Sequence, residues 1–250
     1  MSLRQQDFSR PADRLLAYLD GLTETAGHAD RRAPMENYTK GLLLPIERKS
    51  VEPIAARLAP GNVRQMHQSL HHMVADAVWN DAAVLRQVRR QVLPAMTRKH
   101  ALAAWIVDDT GFPKKGTHSV GVARQYCGQL GKQDNCQVSV SVSLATEEAS
   151  IPAAYQLYLP EAWADDKDRR KQADVPKEIS FQTKPDIALA QIRSLVNEDL
   201  PRGVVLADAA YGDDCAFRER LVSLELCYAV GIKSSTTLWP PGIMILRLRR

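Results

Sequence analysis

Ile106-Val107-Asp108-Asp109-Thr110 and Val204-Val205-Leu206-Ala207-Asp208 each carry an apolar run straight into a carboxylate, with roughly a hundred residues between them. Consecutive apolar residues mark a strand buried within a sheet, so an Asp at its C-terminal end is held at the sheet's rim while still meeting water. If the two strands are neighbours, their carboxylates converge. Hard cations such as Mg²⁺ or Mn²⁺ take oxygen ligands of this kind, and a pair of them can drive in-line attack on a phosphodiester. The plainer reading is that each Asp caps the helix or turn after it, because Asp is a favoured N-cap. Asp108 and Asp109 fall on opposite sides of an extended chain, so only one can share a metal with Asp208; the other reads as a turn acceptor.

Upstream of the first strand, residues 11–100 read as helical. Leu15, Leu16, Leu19 and Leu22 recur at 3/4 spacing, and Val74, Ala77, Val78, Val84, Leu85, Val88 and Val92 continue the period. Pro34, Pro45, Pro53, Pro60-Gly61 and Pro94 are expected to break this region into short helices, with starts at Gly61 or Asn62 and at Asn80 or Asp81. From Ala101 the period changes. Ala103–Val107, Ser119–Tyr126 and the strictly alternating Cys136–Leu144 read as three antiparallel strands, with Val138, Val140, Val142 and Leu144 facing the core. Residues 160–183, rich in Asp, Lys and Arg, read as an inserted surface segment. A helix from about Asp186 to Glu198, the strand Val204–Ala207, a helix over about Cys215–Leu224 and a strand Cys227–Ile232 follow. Asp213 and Asp214 look like an N-cap pair. The fold class is α/β, with an all-helical region ahead of it; strand adjacency cannot be read from periodicity.

The 250 residues are 45% apolar and 25% charged, an ordinary globular composition that argues against disorder. The net charge of +4 is uneven: residues 1–100 hold 15 Lys/Arg against 10 Asp/Glu, the remainder 18 against 19. The basic excess in the N-terminal part could grip a phosphate backbone, or be a solvated helix face. No apolar run of membrane-spanning length and no signal peptide is visible, so the expected location is the cytoplasm, on the nucleoid when DNA is bound, with no membrane partner. Cys127, Cys136, Cys215 and Cys227 lack metal or disulfide spacing and read as free thiols. His67 and His71 are four apart, but the intervening Gln68-Ser69-Leu70 lacks the Glu of a zinc-protease motif.

Asp108-Asp109-Thr110-Gly111-Phe112-Pro113-Lys114-Lys115-Gly116 runs on into His118-Ser119-Val120-Gly121-Val122-Ala123-Arg124-Gln125-Tyr126-Cys127-Gly128. This stretch resembles the DDE transposases of bacterial insertion sequences. The likeness continues through Gly131-Lys132, Asn135-Cys136-Gln137, Tyr158-Leu159-Pro160, Trp163, Arg169-Arg170, Thr183-Lys184-Pro185 and Ala207-Asp208-Ala209-Ala210-Tyr211-Gly212. It implies an RNase H-like core: a mixed sheet flanked by helices in which the strands ending at Asp109 and Asp208 are neighbours. It also implies Mg²⁺- (or Mn²⁺-) dependent cleavage and joining of double-stranded DNA, with transposon terminal inverted repeats and target DNA as partners and a homodimer on DNA as the working form. By motif, Asp109 and Asp208 are the catalytic and metal-binding carboxylates. Lys114, Lys115, His118 and Arg124, close behind the first of them, are the candidate DNA-binding residues, since Lys and Arg bind phosphate oxygens well; a solvated surface is the competing account.

The resemblance also implies a third carboxylate, a Glu on a late helix in a Tyr/Arg/Glu/Lys pattern, which these residues do not contain; Glu219 and Glu225 are poor substitutes in the wrong element. The expected organisation is a helical DNA-binding region over 1–100, an incomplete core over 101–242 and a divergent tail over 243–250, as in a truncated or frameshifted copy. The expected function is therefore a transposase weakened by the missing Glu. The alternative is an inactive DNA-binding remnant that occupies transposon ends or pairs with an intact transposase. A phosphatase of the haloacid dehalogenase type would need Asp-x-Asp where this chain has Asp108-Asp109-Thr110.

Overall fold

In the computed structural model, which describes residues 10–237, the chain divides into two compact units that part between Lys99 and His100. The first is all helix: α1 (Pro11–Thr23), α2 (Arg32–Leu43), α3 (Val51–Leu58), α4 (Val63–His71) and α5 (Asp81–Met96), with a π turn over His72–Asp76. Two small cores hold it. Leu22, Ala26, Met35 and Met73 form one, and Ile54, Ala55 and Leu70 the other.

Three expectations change here. Pro34 and Pro53 do not break helices but lie within the first turns of α2 and α3, where a missing N–H costs nothing. Pro94 sits inside the last turn of α5. The helical period does not run through Val74–Val78, because the π turn leads into extended chain at Ala77; Val78 is 83% exposed, and Leu15 and Leu16 also face out. Asn80 caps α5 as expected, its side chain accepting from the Ala83 N–H at 2.9 Å.

The second unit is built around one long strand. Alternating Val138, Val140, Val142 and Leu144 in β3 (Lys132–Ala145) are fully buried, each worth about 1.5–3 kcal/mol of burial. β3 pairs antiparallel with β1 (Ala104–Pro113), β2 (Ala123–Cys127) and β4 (Ser150–Leu157). β1 then pairs in parallel with β5 (Val204–Ala207), and β5 in parallel with β6 (Tyr228–Val230), giving a six-stranded sheet ordered β2-β3-β1-β5-β6 with β4 beside β3. This mixed sheet is consistent with an RNase H-like arrangement, and the expected adjacency of the two Asp-bearing strands is present. Helices α6 (Glu161–Ala164), α7 (Lys167–Gln172), α8 (Lys184–Asn197), α9 (Ala209–Gly212) and α10 (Cys215–Ser223) accompany it.

The sheet differs from the expectation in three strands. β1 does not end at Val107 but runs on through Asp108 and Asp109 to Pro113, because β3 offers it ladder partners out to Cys136. β4 was not expected at all, and Ser119–Val122 is turn rather than the start of β2. Among the described residues no helix is long and apolar enough to cross a membrane. The last residues of the expected core and the tail expected over 243–250 lie outside the described residues.

Candidate functional site

The parallel ladder between β1 and β5 stops at Ile106 and Leu206. Beyond it the two chains part: β1 continues against β3, while β5 turns into α9. Asp109 and Asp208 both lie just past that point. On β1, Asp109 shares the face of Trp105, Val107 and Gly111, and its cross-strand neighbour is Val140, so its carboxylate stands at the margin of a dry core. Asp108, on the other face, is exposed and its Oδ1 accepts from the Asp109 N–H at 2.7 Å.

Asp208 is the N-cap of α9, its Oδ1 accepting from the Ala210 N–H at 2.9 Å. The plain capping role is thus real, and it engages one carboxylate oxygen. α9 is pressed closely onto the sheet: a Cβ on Gly212 would run into the carbonyl oxygen of Gly231 and come within 2.7 Å of Val230, so only glycine fits there. Asp213 is not part of an N-cap pair. Asp214 alone caps α10, accepting from the Phe217 N–H at 3.0 Å. Asp213 instead accepts from Thr236 Oγ1 at 2.6 Å and pairs with Lys233 at 2.9 Å.

Two residues beside these carboxylates, Tyr211 and Lys184, enter the sequence reading only as a turn-shaping residue and as part of the family pattern. Tyr211 is 1% exposed, packs against Phe217, and its hydroxyl meets no hydrogen-bond partner in the protein. Burial raises its phenol far above the ordinary value, and the charges of Asp109, Asp208 and Asp108, in that order, push it further. All three carboxylates therefore act on one buried phenol. Lys184, the first residue of α8, places its Nζ 2.7 Å from Asp109 Oδ2 and 5.7 Å from the ring centre of Tyr158. A signal existed in the sequence: Thr183 caps α8, accepting from the Asp186 N–H at 3.2 Å, and a Lys right behind a cap stands at the positive end of the helix dipole, where it needs an anion.

The donor set suits a hard divalent cation. It offers carboxylate oxygens only, and Asp109 Oδ2 already holds a positive charge in Lys184. No group of three His, Cys, Asp or Glu is gathered for a metal among the described residues; Mg²⁺ is commonly held by only one or two carboxylates and completes its shell with water and substrate phosphates. Glu219 lies one turn from Cys215, with Sγ 3.6 Å from Oε1, and Glu225 is in a left-handed turn.

Lys114, Lys115 and His118 lie exposed on the loop that follows β1, and Arg124 is exposed on β2. That loop is pinned from below. Asn135 donates to the carbonyls of Lys114 and Gly116, each at 2.8 Å, and Gln137 to Val120 at 2.6 Å. The segment 160–183 braces it from the side: Trp163 donates to the Val122 carbonyl at 2.7 Å, and Arg169 stacks 3.7 Å over Trp163 while donating to the Thr117 carbonyl at 2.6 Å. Asp134 sits in the same patch. Its carboxyl is held below the usual range by the Asn135 N–H first, then by Lys132, with Arg124 adding least, so Arg124 is partly answered already.

The family described as DDE superfamily endonuclease matches residues 17–246. The probable transposase for insertion sequence element IS701 of Microchaete diplosiphon is 31% identical over 196 residues, which cover 78% of this chain and 47% of that protein. The chain thus spans about half the length of this curated relative.

Proposed function

The chain belongs to the DDE superfamily endonucleases, and from that membership we propose that it engages the terminal inverted repeats of an insertion sequence and holds Mg²⁺ or Mn²⁺ between Asp109 and Asp208. The observation that carries this reading is the placement of Asp109 and Asp208 on neighbouring parallel strands, each just past the point where the β1–β5 ladder ends. When bound, such an ion supplies Lewis-acid polarisation of a phosphoryl oxygen and activation of the attacking hydroxyl. The chain's own residues position the reactants. Asp109 is fixed by the β3 ladder, Asp208 by the cap of α9, and Tyr211 closes the floor beneath them against water. Lys114, Lys115, His118 and Arg124 contact DNA phosphates, and the helical unit adds its basic excess. Target DNA and a homodimer on DNA belong to the same proposal.

A second reading is a DNA-binding remnant that occupies transposon ends or pairs with an intact transposase. It is favoured by one observation: no group of three His, Cys, Asp or Glu that could hold a metal is found among the described residues. Two measurements separate the readings. Mn²⁺ binding to the 250-residue chain, followed by calorimetry, is expected and should be lost in Asp109→Asn and in Asp208→Asn; retention in both variants rejects the site. Nicking of terminal-repeat DNA by these residues alone is expected to be weak or absent. Robust Mg²⁺-dependent nicking that disappears with Asp109→Ala would instead show that two carboxylates suffice and would remove the remnant reading.

A further inference from the structure

We propose that Lys184 is a placeholder cation: its ammonium occupies Asp109 Oδ2 in the metal-free protein and must leave that oxygen before a divalent ion can take it. The inference rests on the assignment of Asp109 as a metal-binding carboxylate. The ion pair is short, at 2.7 Å, yet its side chains keep 28% and 23% of their exposure, so water can follow the exchange. Pairs of this partial exposure are weak enough to be broken by a competing ligand.

Three features make a placeholder useful at this spot. Asp108, Asp109 and Asp208 all act on Tyr211, so without a cation the site gathers negative charge around a buried phenol. Lys184 makes a salt bridge to one of these three carboxylates, Asp109. Its position also opposes its own helix. At the first residue of the 14-residue α8, an ammonium faces the positive end of the dipole, and Asp109 is what compensates it. An ammonium 2.7 Å from Oδ2 and a divalent ion at the same oxygen would repel each other strongly at such close range, so occupation by one disfavours the other. The Tyr158 ring, 5.7 Å from Nζ, offers the displaced ammonium a neighbouring surface.

A merely structural brace between α8 and β1 predicts the opposite response. Removing a brace loosens Asp109 and weakens metal binding, whereas removing a placeholder strengthens it. The test is Mn²⁺ titration of the full chain without DNA, read by the electron-paramagnetic signal of free Mn²⁺, alongside thermal melts in EDTA. Lys184→Met is expected to bind Mn²⁺ about two- to fivefold more tightly than the natural chain, the factor that a pair of this exposure represents. Lys184→Arg should return affinity to the natural value. In EDTA, Lys184→Met should melt lower, and saturating Mn²⁺ should close the gap. Should the Met variant not fold, Lys184→Gln removes the charge with a polar side chain and is expected to behave alike. Unchanged or weaker Mn²⁺ binding in the neutral variants, with binding still abolished by Asp109→Asn, overturns the placeholder and leaves the metal site standing. Absence of Mn²⁺ binding in both the natural chain and the neutral variants removes the site and the placeholder together.

Discussion

At Asp213 a carboxylate is fixed by two partners from one short segment, Thr236 Oγ1 at 2.6 Å and Lys233 Nζ at 2.9 Å. The Thr236 hydrogen bond first and Lys233 next hold its carboxyl down at about 2. Because the folded value lies below the unfolded one of about 4, the contribution to stability is complete above about pH 4 and is lost as pH falls toward about 2. Asp213→Asn should therefore lower stability at neutral pH, with the gap to the natural chain closing as pH falls from about 4 toward about 2, as followed by circular dichroism at a series of pH values. At Tyr211 the expectation has the other sign. Its hydroxyl is buried beside three carboxylates without a protein partner, an arrangement that costs about 1–3 kcal/mol. Tyr211→Phe should leave the metal-free protein at least as stable as the natural chain in urea; a clear loss would mean that the hydroxyl is satisfied after all.

Among the elements, the segment 160–183 reads in sequence as charged surface, yet its arginines are spent on structure. Arg169 serves Trp163 and the Thr117 carbonyl, and Arg170 donates to the carbonyls of Ala164, Pro176 and Ile179. Trp163 is the anchor, 1% exposed and packed with Val122 and Leu159. Trp163→Ala should cost about 3–5 kcal/mol in urea denaturation and expose residues 165–183 to limited proteolysis; an unchanged cleavage pattern would show that the segment is held by other contacts. The same contrast marks what was legible. β5 and the inward face of β3 could be read because their apolar patterns are unbroken. β4 could not: Ser150-Ile151-Pro152-Ala153-Ala154 has little β signal, and Pro152 is tolerated because the register with β3 shifts between Val142 and Ser143. The end of β1 was misjudged because Asp108, Asp109 and Gly111 look like turn residues; ladder partners from β3 outweigh that local preference. Of the site, Asp109 and Asp208 were visible as strand-end carboxylates and Lys184 and Tyr211 only as parts of a pattern, since their roles depend on which strand or helix lies opposite.

For the whole molecule, the question is which positive charges meet DNA. The excess of basic residues lies in the first hundred residues, fifteen Lys and Arg against ten Asp and Glu, so acids are interspersed with it. The loop after β1 is different in kind: Lys114 and Lys115 stand exposed on a backbone held by Asn135, Gln137 and Arg169, so little side-chain-independent ordering remains to be lost on binding. Each phosphate contact releases counterions and contributes about 0.9 to the slope of log affinity against log salt. If both lysines meet phosphates, Lys114→Ala with Lys115→Ala should reduce that slope by about 2, while Arg124→Ala should change it less, because Asp134 already answers part of that charge. Mobility shifts on terminal-repeat DNA across a salt series measure this directly. A slope unchanged in the double lysine variant would take the loop out of the DNA interface and assign the electrostatic grip to the helical unit; a slope that falls to nearly zero would assign it wholly to the loop.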